Sequence, residues 1–214
     1  MGHKPLGSPR GIPLESRSNQ CLWRRGVCNT QTGTGSCKRQ LHPEVLLRQF
    51  QGNFDPILHA EEIPSNAPIP TDLLTHCREI SVAEGIVVIH PNWWGQPPAI
   101  LKGWVDRVIR PRVAYRFEDG DSGEGIPVGL LEAKFALVFN TSNTSTQREV
   151  SVFGDPLQSI WKQCVFDLCG VTNFHREMFN IIVTSTATQR ESWLLTTREI
   201  VKRFAQPSKQ GVTC

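Results

Sequence analysis

Apolar positions along residues 71–206 alternate between two spacings, one helical and one extended. Asp72–Ala83 repeats its apolar residues at the helical interval and predicts a helix. Gly85-Ile86-Val87-Val88-Ile89-His90 is a short β-branched run, the pattern of a strand buried in a parallel sheet. Pro91–Pro98 reads as a loop. Ala99–Ile109 returns to the helical interval: Ile100, Leu101, Trp104, Val105, Val108 and Ile109 form one stripe, with Lys102, Asp106 and Arg107 off it. Beyond a glycine-rich excursion at Gly120–Gly129, Phe135–Phe139 reads as a second strand and Asn140–Thr146 as the loop after it. Asp155 as N-cap, Pro156 in the first turn and Gln158 three residues after the cap start another helix. Its apolar face is Leu157, Ile160, Trp161, Cys164, Val165 and Leu168, and Gly170 ends it. A third strand is predicted over roughly Phe179–Thr184 and a last helix over about Gln189–Phe204. Helices alternating with strands in this way predict an α/β fold, an open parallel sheet with helices on both faces.

Residues 1–40 do not share this order. Glycines, three prolines and a polar run from Asn29 to Ser36 leave no period that could build a core face. Charge divides at the same place. Residues 1–50 hold eight Lys/Arg against two Asp/Glu, whereas residues 51–214 hold fifteen against eighteen. The layout expected is a basic arm over 1–43, a domain over 44–206 and a C-terminal tail over 207–214. The net charge of +3 is too small to argue for nucleic acid, and no apolar run approaches the ~18 residues of a stable membrane insertion. Among the seven cysteines, Cys21, Cys28 and Cys37 are spaced too widely for the short pairs of zinc sites. No cleavable apolar segment precedes them. The expectation is a cytoplasmic protein with no metal and no disulfide framework.

In a parallel sheet the ligand crevice lies beyond the carboxyl ends of the strands, where two segments carry candidate chemistry. The first is His90-Pro91-Asn92-Trp93-Trp94-Gly95-Gln96-Pro97-Pro98. Adjacent tryptophans in a loop present a large apolar area, so they serve as core plugs, as an oligomer contact, or as a wall for a flat aromatic ligand. The second, Asn140–Thr146, is an ordinary polar turn or a set of backbone N–H and hydroxyl groups for a heterocycle edge or phosphate. A planar cofactor with polar ring edges fits both segments at once. The six histidines are scattered, and His90 at a strand end reads as structural or substrate-lining.

The segment GIVVIHPNWWGQPPAILKGWVDR at Gly85–Arg107 closely resembles the NAD(P)H:quinone oxidoreductase family, flavoproteins of flavodoxin-like fold; AILKGW is its most specific part. Val113-Ala114-Tyr115, Phe135–Asn143, Gly154-Asp155-Pro156-Leu157 and Leu168-Cys169-Gly170 extend the likeness over about Phe54 to Phe204. The resemblance implies a homodimeric enzyme carrying FAD or FMN that takes two electrons from NAD(P)H and passes them to a quinone-like small molecule. Its flavin-ring loop falls on Pro91, Asn92, Trp93 and Trp94, and its second ring-contacting loop on Asn140, Thr141, Ser142 and Asn143. The family's usual Thr-Thr-Gly-Gly is Asn140-Thr141-Ser142-Asn143 here, and no Tyr or His stands between Ser145 and Gly154 to act as its proton donor. The catalytic residues are therefore unassigned. Residues 1–50 also lack the apolar first strand and phosphate-binding loop with which the family opens, so those elements are expected to be missing or replaced. That departure supports a second reading, a catalytically impaired flavodoxin-like remnant or partner-binding protein.

Overall fold

The computed structural model describes residues 54–118 and 124–206. The expected arm at 1–43, the start of the expected domain at 44–53 and the tail at 207–214 lie outside the described residues, as does the start of the glycine-rich excursion.

In chain order the elements are α1 (Leu74–Ser81), β1 (Ile86–Pro91), α2 (Ala99–Val108), β2 (Tyr115–Phe117), β3 (Pro127–Gly129), β4 (Ala136–Ser142), α3 (Thr146–Phe153), α4 (Pro156–Ser159), a π-helical stretch (Ile160–Asp167), β5 (Phe174–Asn180) and α5 (Ala187–Ala205). Strands β1, β4 and β5 form a parallel sheet in that spatial order, with Ile86 beside Ala136 and Ala136 beside Phe174. Among the described residues nothing pairs with the outer edge of β1. Strands β2 and β3 make a small antiparallel pair apart from this sheet.

Side chains alternate across β4 and define two cores. Ala136 and Val138 join Ile86 and Val88 against Leu73 and Cys77, Leu101 and Val108 of α2, and Leu157, Trp161 and Phe166. Leu137 and Phe139 face the other way, onto Ile200, Val201 and Phe204 of α5. Helices therefore cover both faces, and the fully buried Leu, Val and Phe side chains each contribute about 1.5–3 kcal/mol. Gly103 lets α2 approach the Phe54–Ile57 segment, since a Cβ there would lie 2.1 Å from the Pro56 carbonyl oxygen. Arg107, buried in the same helix, fastens that segment through a hydrogen bond to the Asp55 carbonyl and holds the following turn through Glu62.

Three predicted elements change and one helix is added. The third strand is Phe174–Asn180, earlier than the β-branched Ile181-Ile182-Val183 run suggests. Every residue of β5 is half-buried, with charged side chains among them, so the strand shows no clean two-residue period. Asn140, Thr141 and Ser142 belong to β4 and not to a loop. Asp155 does precede a helix that has Pro156 in its first turn, but its side chain makes no cap hydrogen bond. It adopts φ 48° and gives its carboxylate to Arg176, and the helix widens to π geometry after one turn. Finally, Thr146–Phe153 forms a helix the hydrophobic pattern did not predict, capped by Ser145, whose Oγ accepts from the Arg148 amide. Its apolar residues Val150, Val152 and Phe153 are exposed, so no buried stripe announces it.

Candidate active site at the strand ends

The carboxyl ends of β1 and β4 lie side by side, with His90 opposite Asn140 and Pro91 opposite Thr141. The ladder runs one residue further, since the Asn92 amide donates to the Thr141 carbonyl at 2.7 Å. From there a tight turn lifts the chain off the sheet. The Trp93 and Gln96 backbones exchange N–H···O bonds at 3.0 Å in both directions, and Trp94 and Gly95 between them have φ 57° and 73°. At Gly95 a side chain is excluded twice: the left-handed conformation disfavours one, and a Cβ would lie 2.7 Å from Pro156 Cγ. This turn holds both indoles outward. Trp93 is 58% exposed and Trp94 101%.

Asn92 works inward instead. Its Oδ1 accepts from the Gly95 amide at 2.9 Å, and its Nδ2 donates to Oε1 of the buried Glu149 at 2.9 Å. Pro91 ends β1 and is half-buried. The second predicted segment is also largely committed to the fold. Asn140 Oδ1 accepts from Arg176 at 2.7 Å, Ser142 Oγ from the Thr144 amide at 3.0 Å, and exposed Asn143 Oδ1 from the Val183 amide at 3.0 Å. Thr141 is half-buried and supplies its carbonyl to Asn92. The structure thus brings the two predicted segments together, with the tryptophans outermost and the Asn and Ser side chains serving as struts beneath them.

Under the strand ends lies a polar row that the sequence reading did not find. Arg176 of β5 bonds Asn140, both carboxylate oxygens of Asp155, and Gln158 Oε1. His90 is buried beside it: Nε2 accepts from Trp161 Nε1 at 3.0 Å, and Nδ1 donates to the Pro91 carbonyl at 2.8 Å. That pairing fixes a neutral ring protonated on Nδ1. Burial holds the His90 pKa below the ordinary 6.5, a backbone bond to Pro91 opposes the shift, and the charge of Arg176 adds to it. With both nitrogens engaged inside the protein, His90 is a structural residue and not an acid or base facing a ligand. No sequence signal pointed to Arg176, which lies before the predicted third strand and reaches Asp155 only through the fold. Among the described residues no group of His, Cys, Asp and Glu could hold a metal ion.

A family model described as "Flavodoxin-like fold" matches residues 36–195. An uncharacterized NAD(P)H oxidoreductase of Haemophilus influenzae is 36% identical over 137 residues, covering 62% of this chain and 65% of that protein. The chain belongs to the family this model describes, of flavodoxin-like fold. An FMN-dependent NADH:quinone oxidoreductase 1 of Colwellia psychrerythraea is 33% identical over 93 residues, covering 43% of this chain and 45% of that one. An NAD(P)H:quinone oxidoreductase from Methanothermobacter marburgensis superposes with a TM-score of 0.59 at 25% identity, covering 68% of this chain and 74% of that one. The chain spans less than two thirds of the length of these curated relatives. Among the described residues no helix is long and apolar enough to cross a membrane.

Proposed function

We propose that this chain is a flavin-dependent NAD(P)H oxidoreductase that holds FMN at the carboxyl ends of β1 and β4 and passes two electrons to a quinone-type acceptor. The observation that carries the reading is the exposed Trp93–Trp94 pair, held outward by a strained turn at the strand ends of this family's fold. An indole wholly open to solvent gives up apolar contact that a stacked planar ring restores. FMN is preferred to FAD because relatives bearing FMN in their names match this chain. The residues present fit the ring: Trp94 supplies a flat wall, and Asn92, Asn140 and Ser142 fix the backbone around it. FMN, when bound, supplies the two-electron chemistry between NAD(P)H and the acceptor. The protein's contribution is to seat the ring, keep one face open to both small molecules in turn, and hold His90 neutral beneath the site.

Exposed Val150, Val152 and Phe153 on α3 support a homodimer, for which sizing by light scattering is the check. The free thiols of Cys77, Cys164 and Cys169 suit a reducing cytoplasm. The function is tested on the full chain by titrating FMN and FAD against flavin fluorescence, then following NADH and NADPH oxidation with a soluble quinone. Saturable FMN binding and quinone-dependent oxidation proportional to bound flavin are expected. A chain that takes up neither flavin overturns the proposal.

A further inference from the structure

We propose that Glu149 is a positioning residue that sets the Trp93–Trp94 loop through Asn92. Glu149 is 2% exposed, and it meets the site at two points. Its carboxylate Oε1 accepts from Asn92 Nδ2 at 2.9 Å, and its backbone carbonyl accepts from the Asp155 amide at 3.0 Å. The first contact grips the start of the loop. Asn92 then passes the restraint on, because its Oδ1 holds the Gly95 amide and its own amide stays on the Thr141 carbonyl. The second contact holds the Gly154–Pro156 corner, where Pro156 packs into the space left by the missing side chain of Gly95. One buried glutamate therefore anchors the turn from both ends of its base, while the two indoles stand free above it.

A carboxylate in this position does little for global stability. Burying one sacrifices its hydration, and an apolar side chain of similar volume is often neutral or better for the fold. What the side chain adds is direction: an oxygen acceptor gives Asn92 one orientation, and only that orientation presents Oδ1 to Gly95. The effect of Glu149 on flavin binding rests on the function proposed above, whereas its effect on the loop does not.

The test uses the full chain in three forms: wild type, Glu149→Gln and Glu149→Leu. Glu149→Gln keeps a carbonyl oxygen for Asn92 Nδ2, and Glu149→Leu keeps volume and removes the acceptor. Amide hydrogen exchange of the cofactor-free proteins is compared over residues 91–98 and, as an internal reference, over 136–142. Glu149→Leu is expected to speed exchange at 91–98 by about tenfold, the size of one lost hydrogen bond, and to leave 136–142 unchanged. FMN Kd rises by about the same factor, and Glu149→Gln stays near wild type in both measurements. Equal exchange at 91–98 in wild type and Glu149→Leu overturns the proposal, as does Glu149→Gln behaving like Glu149→Leu. Where Glu149→Leu lowers folded yield, Asn92→Ala breaks the same link from the half-exposed loop side, and unchanged loop exchange in that variant overturns the proposal equally. Loop exchange that responds as expected in a wild-type chain that takes up no FMN supports the brace and refutes the flavin reading alone.

Discussion

Replacing Arg176 by Leu removes the centre of the polar row beneath the site. The Arg176 side chain is 5% exposed and that of Asp155 19%. Taking one partner from a buried pair costs about 3–5 kcal/mol, because the other is left charged and uncompensated. Asp155 keeps some hydration, which places its share near 3. Asn140 is buried, and losing the bond to its Oδ1 adds about 1 kcal/mol, at the low end for an orphaned polar atom. Gln158 is exposed and adds nothing. The expected loss is therefore about 4 kcal/mol, or ~8–16 °C in Tm for a chain of this size. Urea unfolding measures it, with the midpoint falling and the slope unchanged. The double variant Arg176→Leu with Asp155→Leu should lose less than the sum of the single losses, because the carboxylate is no longer left unpaired. A loss below about 1 kcal/mol for Arg176→Leu, or additive losses in the double variant, refutes the reasoning.

Four further outcomes follow from the same geometry. Gly95→Ala should lower stability by about 2 kcal/mol, from the left-handed backbone and the contact with Pro156; adding Pro156→Ala should recover the contact part in urea unfolding. Trp94→Ala should leave the Tm of the cofactor-free chain unchanged and weaken FMN binding by about 0.5–1.5 kcal/mol beyond the lost area, read by flavin fluorescence. Because the folded pKa of His90 lies below 6.5, the unfolded chain binds the extra proton first, so stability falls as pH drops from about 6.5 toward the lowered folded value. Midpoints measured across that window should decline less in His90→Gln. Iodoacetamide applied to the native chain should label exposed Cys164 and spare Cys77 and Cys169, the latter buried with its pKa pushed up to about 12, until urea unfolds the protein; peptide mass spectrometry reads the outcome.

The parts of the fold that were legible in the sequence bury a continuous face. β1 and α2 stand almost where their apolar patterns place them, with α2 at Ala99–Val108 against an expected Ala99–Ile109. α5 also agrees closely, and a capping box of Thr186 and Gln189 starts it. The failures share a cause. α3 leaves its apolar side chains exposed and buries Glu149, and β5 half-buries apolar and charged residues alike, so neither shows a stripe to read. Arg176 looks like a surface residue in the sequence, yet its side chain is buried because Asn140 of β4 and Asp155 and Gln158 at the start of α4 converge on it.

The candidate site was legible as a place and not as a set of contacts, and Asn92 shows why. Residue type and position after a strand select Asn92 and the tryptophans together, because each can touch a flat polar-edged ring. Which of them does so depends on what occupies the space beneath the loop, and that is supplied by Glu149, 57 residues further along the chain. With Glu149 buried below, the amide of Asn92 turns inward and the indoles are left as the outer surface. Across the sheet Asn140 is engaged by half: its Oδ1 accepts from Arg176, while its buried Nδ2 has no hydrogen-bond partner. The ring wall proposed above therefore rests on Trp94, whose side chain stands wholly open at the strand ends while those of Asn92, Ser142 and Asn143 are engaged within the fold.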